Sequence, residues 1–180
     1  MALKALARGL MHKSHVGGVM LGLGDAGAVA EAFGRVEAAV AKLPDATFEG
    51  ALVAEMVSGG AELIVSASYD QQFGATVLVG SGGIAAELTR DTALGLAPVS
   101  QEKAREMLRS LDMWPLLDGY RGRPKLDVEA AADAVVRVSW LVADLGNRLK
   151  ELDVNPLILR RVGDGAIVVD AAATVLADAS

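Results

Sequence analysis

The chain contains no cysteine, only two histidines, and no apolar run long enough to span a bilayer. Without cysteine there can be no disulfide framework, no thiolate nucleophile and no zinc–thiolate site. The two histidines, His12 and His15, have no further metal-binding partners beside them, which makes zinc a poor interpretation. The most apolar late stretch, residues 166–173, contains Asp170 and is far too short for a transmembrane helix. We therefore expect a cytoplasmic protein that does not enter a membrane.

Basic side chains are also in deficit, since 17 Lys and Arg stand against 23 Asp and Glu, a net charge of −6. Nucleic acid backbones require concentrated Lys and Arg, so this balance argues against nucleic acid as the main partner. The basic and apolar start is interrupted by Lys4, Arg8 and Lys13 before the core of a signal peptide could form. The length of 180 residues and the 52% hydrophobic share are typical of a globular chain of one domain or two small ones.

Apolar periodicity and turn residues predict a mixture of strands and helices. Runs rich in Val, Ile and Leu predict strands at residues 49–57, 62–69, 75–80, 151–160 and 166–171. The Gly59-Gly60 connection predicts a hairpin between the first two strands, and the turn at 163–165 predicts one between the last two. Acceptor side chains at the N-terminal ends predict helices at residues 25–43, 100–111 and 127–150. Without regular βαβ alternation, this pattern favours an α+β fold of mostly antiparallel sheets with packed helices.

Two carboxylates and an amide are expected to converge near the C-terminal end of the chain. Asp153 and Asn155 are two positions apart on a strand, so they should share a face, and Asp170 ends the partner strand. Oxygen ligands of this kind suit Mg²⁺, which is commonly held by one or two carboxylates together with substrate phosphates. The alternative is that Asp153 and Asp170 end their strands or accept hydrogen bonds from turn amides.

Two glycine-rich segments are candidates for phosphate binding. Lys13 begins a Lys-Ser-His-Val-Gly-Gly run, and Gly82 and Gly83 follow a predicted buried strand. Backbone N–H groups in such loops can surround an anion, and a lysine adds a positive charge. The spacings are those of neither a Walker motif nor a dinucleotide fingerprint, and the alternative is that the glycines serve turns. Glu62, which follows the Gly59-Gly60 connection, could accept hydrogen bonds from a ribose or could simply be solvated.

Together these segments resemble the ATP-grasp domain of NDP-forming acyl-CoA synthetases, the ADP-forming acetate–CoA ligase group related to succinyl-CoA synthetase. The similar segments run in order across nearly the whole chain: HKSHVGGV at 12–19, VAEMVSGGAELIV at 53–65, GSGGIAAEL at 80–88, LAPVSQEKAREML at 96–108, PLLDGYRG at 115–122, ELDVNPL at 151–157 and VVDA at 168–171. The resemblance implies an ATP-grasp domain over residues 1–180, with a remnant of the first lobe at about 1–57 and the second lobe at 58–180.

The resemblance also implies a role for each candidate residue, with Mg²⁺ as cofactor and ATP or ADP as substrate. A phosphate contact is implied for Lys4, and Lys13, Gly82 and Gly83 join it as the nucleotide-binding candidates of the two glycine-rich segments. The adenine-side hinge is implied for Glu55, Met56 and Val57, and the ribose contact for Glu62. The magnesium positions are matched by Asn155 and Asp170, with Asp153 beside them. His12 matches a relay histidine that carries phosphate to a CoA-binding and ligase partner, and Lys4 and His12 are therefore the candidate catalytic residues.

Three departures from the family pattern define a second hypothesis. His15 and Ala172 stand where the family usually has an aspartate and a basic residue, and the segment that would complete the first lobe is expected to be missing. The first interpretation is the nucleotide-binding part of an enzyme that converts acyl-CoA, ADP and phosphate to acid, CoA and ATP. The second is a degenerate, non-catalytic ATP-grasp module with a binding or regulatory role. A homo-oligomer that covers exposed apolar surface is compatible with both.

Overall fold

The computed structural model describes residues 1–10, 13–83 and 90–176 of the chain. These residues form a mixed α+β structure whose sheets are antiparallel throughout the described ranges, which confirms the predicted fold class. The chain divides into two compact units, Met1–Ser58 and Gly59–Ser180. No helix of the described residues has both the length and the apolar character needed to cross a membrane.

The first unit is a three-stranded sheet with one helix. Its elements are β1 Ala2–Arg8, a 3-10 turn at Lys13–Val16, β2 Val19–Met20, α1 Ala26–Val40 and β3 Thr47–Ala54. The strand order is β2-β1-β3, and Leu3 and Ala5 of the central strand pack with Val36 of the helix in a small core. As predicted, Asp25 caps the helix by accepting a hydrogen bond from the N–H of Ala28 at 2.8 Å.

The second unit is a larger sheet with helices packed on one face. Its strands are β4 Ala61–Asp70, β5 Gly74–Ser81, β6 Thr92–Leu96, β7 Leu149–Leu159, β8 Ala166–Val168 and β9 Ala171–Val175. Its helices are α2 Gln101–Arg109, α3 Trp114–Leu117 and α4 Val128–Leu145. The strand order is β6-β5-β4-β7-β8, and β9 also pairs with β7. The core lies between this sheet and the helices, where Leu63, Val77, Leu108 and Val135 are fully buried.

One predicted hairpin is wrong. β3 pairs with β1, whereas β4 pairs with β5 and β7, so the strands on either side of Gly59-Gly60 lie in different sheets. A pair of glycines permits positive φ in any tight connection, and the sequence could not show that this one leads into another sheet. Gly60 has φ +91°, and a Cβ there would come within 2.2 Å of the Leu159 carbonyl oxygen, so its glycine is required by close contact with β7.

The second predicted hairpin is confirmed, but its return strand is divided. Leu157, Ile158 and Leu159 pair with β8 after the turn at 163–165, while the earlier part of β7 pairs with β9. Asp170 lies between β8 and β9, not at the end of one continuous strand. The predicted helices at 25–43 and 127–150 also end earlier, at Val40 and Leu145. In the second case Gly146, with φ +57°, ends the helix before the chain enters β7.

Candidate functional site

The predicted magnesium residues lie on the sheet of the second unit. Val65 and Val154 are buried in the core beneath the helices, so their neighbours Ser66 and Asp153 lie on the opposite face of the sheet. Ser66 and Asp153 are paired across β4 and β7, and the Ser66 hydroxyl donates a hydrogen bond to Oδ1 of Asp153. This contact holds one carboxylate oxygen of Asp153 in place, and no hydrogen bond to its other oxygen comes from the described part of the chain.

Asn155 and Asp170 are brought side by side. The N–H of Asn155 donates to the carbonyl oxygen of Asp170 at 3.0 Å, and Oδ1 of Asp170 accepts a hydrogen bond from the N–H of Ala171 at 3.1 Å. The register of β4 and β7 shifts between the Leu63–Leu157 and Val65–Val154 pairs, as in a β-bulge. Val154 is buried and Asn155 is exposed, so the alternation of the strand keeps Asn155 on the same face as Asp153, as predicted, and the register shift lies next to it.

The donor set fits magnesium better than a transition metal. It consists of two carboxylates and one amide oxygen, and hard oxygen ligands are those that Mg²⁺ prefers. Within the described ranges, no group of three or more His, Cys, Asp and Glu side chains could hold a metal by itself. Asp153, Asn155 and Asp170 could therefore hold magnesium only with further oxygen ligands such as nucleotide phosphates.

Glu62 and the glycine loop meet in a cleft of the second unit. The N–H of Gly82 donates to the Glu62 carbonyl oxygen at 2.8 Å. A Cβ on Gly82 would lie 2.9 Å from the Glu62 backbone, and one on Gly83, which has φ +74°, would lie 3.1 Å from Oε2 of Glu62. Only glycine therefore allows this close contact without displacement. The three predicted residues line one cavity of about 870 Å³, a volume typical of small-molecule sites.

The same cleft contains side chains that sequence reasoning missed. Arg123, Arg161 and Asp91 line it together with the apolar residues Met113 and Leu116. The run PLLDGYRG, which ends directly before Arg123, resembles the family but indicates no role for Arg123, and Arg161 follows β7 with no motif of its own. The carboxylate of Asp91 accepts hydrogen bonds from the N–H groups of residues 112 and 113, at 2.7 and 3.0 Å, so it holds the start of α3.

In the first unit, Lys4 and Lys13 are held by the fold around β1. Lys4 is only 7% exposed and lies on the face of β1 opposite to Leu3, which packs with α1. The carbonyl oxygen of Lys13 accepts a hydrogen bond from the N–H of Gly18, and Gly18 in turn accepts one from Ala5, both at 2.8 Å. A Cβ on Gly18 would come within 2.8 Å of the Lys13 carbonyl, so this glycine is needed for the turn.

The other predicted residues of the first unit lie in a segment without regular secondary structure or outside the described residues. Glu55, Met56 and Val57 follow the end of β3 without regular secondary structure, and Met56 is exposed. His12, the candidate relay histidine, lies outside the described residues. The assignment of Lys4, Lys13 and these hinge residues to a nucleotide therefore remains a prediction.

Two carboxyl groups with depressed pKa values lie away from the cleft. The N–H groups of Phe73 and Gln72 donate to Asp70 in the β4–β5 turn and lower its pKa. The guanidinium of Arg105 donates to both carboxylate oxygens of Glu129, at 2.7 to 3.0 Å, and lowers the pKa of Glu129. The contacts between Arg105 and Glu129 join α2 to α4 and stabilise the helical layer.

Comparison with known proteins places the chain in a family. The model of the ATP-grasp domain matches residues 1–175. The β subunit of acetate–CoA ligase [ADP-forming] II from Pyrococcus furiosus is 36% identical over 171 residues, which cover 94% of this chain and 72% of the relative.

Solved structures agree with this match. A structure of acetyl-coenzyme A synthetase 1 from Ca. Korarchaeum cryptofilum, in complex with coenzyme A and Ca-AMPCP, has a TM-score of 0.89 and 36% identity, covering 97% of this chain and 76% of that one. Another structure of that enzyme contains coenzyme A and Mg-AMPPCP, with a phosphohistidine segment pointing towards the nucleotide binding site. Its TM-score is 0.79 and its identity 30%, and the match covers 98% of this chain and 76% of that one. The chain therefore belongs to the ATP-grasp family, in the group that supplies the nucleotide-binding part of ADP-forming acyl-CoA synthetases.

Proposed function

We propose that the chain binds ATP or ADP with Mg²⁺ and transfers a phosphoryl group between the nucleotide and a phosphohistidine. The full reaction would convert acyl-CoA, ADP and phosphate to acid, CoA and ATP. The observation that carries this proposal is the juxtaposition of Asn155 and Asp170 beside Asp153, because this oxygen-only set leaves magnesium coordination positions that phosphate oxygens of a nucleotide can fill. The magnesium nucleotide analogue in the Korarchaeum relative supports the same cofactor.

Each residue has a proposed part in this reaction. Phosphoryl transfer depends mainly on positioning and on neutralising charge, and bound Mg²⁺ would supply part of that neutralisation. Lys4, Lys13 and the N–H of Gly83 would bind phosphate oxygens, and Glu62 would accept hydrogen bonds from the ribose. Gly82, whose own N–H donates to the Glu62 carbonyl oxygen, would shape the loop beside the nucleotide. Residues 55–57 would form the adenine-side hinge.

His12 would carry the phosphoryl group from the nucleotide to the ligase part of the enzyme. That part would belong to a partner subunit or a fused domain, since the Pyrococcus relative is itself a β subunit. The two units of the chain, divided after Ser58, would correspond to the remnant of the first lobe and to the second lobe.

Calorimetry with ADP and ATP, with and without Mg²⁺, tests the binding step. We expect Mg²⁺ to strengthen nucleotide binding, and we expect Asp170→Asn to remove most of that gain. Ser66→Ala should weaken binding of the magnesium nucleotide roughly tenfold or more, because the hydroxyl that orients Asp153 is lost. Asp133→Asn, an exposed residue of α4, is the matched control and should change nothing. Absence of binding at millimolar nucleotide would instead support the non-catalytic module.

Labelling with γ-phosphate-labelled ATP tests the transfer step. We expect His12→Ala to abolish labelling of the protein while nucleotide binding persists. Unchanged labelling in this variant would remove the relay role from His12 and leave the binding proposal intact.

A further inference from the structure

A second pocket of the second unit lies among its helices. It is formed by the end of α2, by α3 and by residues 125–129 at the start of α4, and it has a volume of about 240 Å³. It shares Leu126 with the cleft that contains Glu62, but it includes none of the residues proposed to contact nucleotide or magnesium. Its volume is below the range of about 300–1,000 Å³ that is usual for small-molecule sites, so a ligand here must be small.

Most charged side chains that line this pocket already have partners. Those with partners are Arg105 with Glu129, Lys125 with Asp118, and Asp127 with three backbone N–H groups. Arg109, which also lines the pocket, has no hydrogen-bond or ion-pair partner in residues 1–10, 13–83 and 90–176. It acts on Glu129 through its charge without contacting it. The pocket therefore has one positive charge that no described carboxylate contacts.

The Arg109 guanidinium is held in a fixed place by an aromatic ring. It lies over the ring of Trp114, 5.9 Å from the ring centroid. Trp114 is half-buried and packs against the main core, so its ring is well positioned. A cation–π contact uses the face of the guanidinium and leaves the N–H groups at its edge able to donate. Such a planar fork suits a planar carboxylate, which accepts two parallel hydrogen bonds.

The remaining lining of the pocket is apolar. It consists of Leu117, Leu126, Val128 and Val162. A ligand that contacts Arg109 would therefore place its other atoms against hydrocarbon side chains. A carboxylate carries one negative charge and so matches the single charge of Arg109. A doubly charged phosphate would bring a second negative charge, without a partner, close to Glu129.

We propose that this pocket binds a small organic acid that has one carboxylate and an apolar body. The carboxylate accepts hydrogen bonds from the Arg109 guanidinium, and the apolar body packs beside the Trp114 ring and the aliphatic lining. Neither nucleotide nor magnesium takes part in this binding, so the proposal holds or fails independently of the proposed function.

Calorimetry with cyclohexanecarboxylate on the full chain, without nucleotide or magnesium, tests the proposal. We expect saturable binding at millimolar concentration or below. Cyclohexanecarboxamide has the same shape without the charge, and acetate has the charge without the apolar body, so each should bind at least tenfold more weakly. The proposal is overturned if the acid does not bind at millimolar concentration, or if either control compound binds as tightly as the acid.

Substitution of Arg109 tests where the carboxylate binds. Arg109→Gln should weaken binding at least tenfold, and Arg109→Lys, which keeps the charge without the planar fork, should restore part of it. Because Arg109 is exposed, we expect the Gln variant to fold with an unchanged urea midpoint. Arg137→Gln is the matched control, since Arg137 is an exposed arginine of α4 outside the pocket lining. Equal losses of binding in the two Gln variants would overturn the proposal.

Tryptophan fluorescence locates the acid without any change to Arg109. The chain has two tryptophans, of which Trp114 lines the pocket and Trp140 does not, and cyclohexanecarboxylate does not absorb where they do. In Trp140→Phe, the emission of Trp114 should change saturably, with the dissociation constant found by calorimetry. In Trp114→Phe, the emission of Trp140 should not respond to the acid. A response of Trp140 with none from Trp114 would place the acid elsewhere and overturn the proposal.

Two further arms complete the test. The C-terminal end of a protein chain presents the same chemistry, and a peptide that ends in leucine represents it. If this peptide displaces the acid with at least tenfold higher affinity, the pocket serves a protein terminus and the proposal of a small acid is overturned. Arg109→Gln should bind Mg-ADP as the original protein does. Binding of the acid without binding of Mg-ADP would remove the proposed function alone, and the reverse result would remove this proposal alone.

Discussion

Asp127 joins α4 to the β7–β8 turn, and its removal should destabilise the second unit measurably. Oδ1 accepts a hydrogen bond from the N–H of Ala130 at 3.2 Å and so caps the helix. Oδ2 accepts hydrogen bonds from the N–H groups of Gly163 at 2.9 Å and Gly165 at 3.2 Å. The side chain thereby holds the start of a core helix against the turn that precedes β8.

The size of the effect follows from these contacts. Loss of an N-cap costs about 1 kcal/mol. The two glycine N–H groups lie in a turn that water reaches, so together they add about 1 kcal/mol, below the value for buried bonds to a charge. We therefore expect Asp127→Ala to lower the free energy of unfolding by about 2 kcal/mol. Asp127→Asn keeps one acceptor oxygen and should lose about half of that.

Urea unfolding followed by tryptophan fluorescence measures this change, because Trp114 and Trp140 both lie in the second unit. Asp133→Ala is the control, since its ion pair with Arg137 is exposed and should contribute less than about 0.5 kcal/mol. A loss below about 0.5 kcal/mol in Asp127→Ala would refute the assignment of a joining role. Equal losses in the Ala and Asn variants would show that the one acceptor oxygen that Asn keeps contributes no stability, and would contradict the expected division of the loss between the two oxygens.

Two other predictions concern stability. Gly60→Ala should lower the free energy of unfolding by about 3 kcal/mol, because positive φ and a clash with the Leu159 carbonyl act together. Gly59 has φ +78° and a Cβ there would meet nothing within 4 Å, so Gly59→Ala should lower it by only about 1–2 kcal/mol. Equal urea midpoints for these two variants would show that the clash with the Leu159 carbonyl does not add to the loss of stability. Because Arg105 lowers the pKa of Glu129 below its ordinary value of 4.5, their contact stabilises the fold above that value and is lost as pH falls through the lowered pKa. Glu129→Gln should therefore be less stable than the original protein near neutrality and equal to it in strong acid, and a pH-independent difference in urea midpoints would refute this origin.

Capping residues in the sequence correctly predicted where three of the helices begin. Asp25, Ser100 and Asp127 each accept a hydrogen bond from an N–H three residues later, because capping depends only on neighbouring residues. The helix ends were less accurate, as the early stop at Gly146 shows. The hairpin assigned to Gly59-Gly60 was wrong because strand partners depend on the whole sheet and not on the connecting residues.

The candidate site was predictable in its residue types and only partly in its arrangement. Spacing and family resemblance selected Asp153, Asn155 and Asp170, and the structure places Asn155 and Asp170 next to each other. The β-bulge next to Asn155 and the hydrogen bond from Ser66 to Asp153 have no sequence signature, because both arise from pairing with β4, which is about 90 residues away in the chain.

The absence of cysteine, the acidic balance and the ordered family motifs were determined by the sequence alone, and they excluded thiolate chemistry and indicated an ATP-grasp domain. Composition and short motifs are properties of the chain that need no folding to be counted. Only the tertiary structure decided that Arg123, Arg161 and Ser81 line one cleft with Glu62. These residues come from separate strands and loops, and pairings between segments distant in the chain, such as β4 with β5 and Leu126 with Arg161, bring them together, which no local pattern encodes.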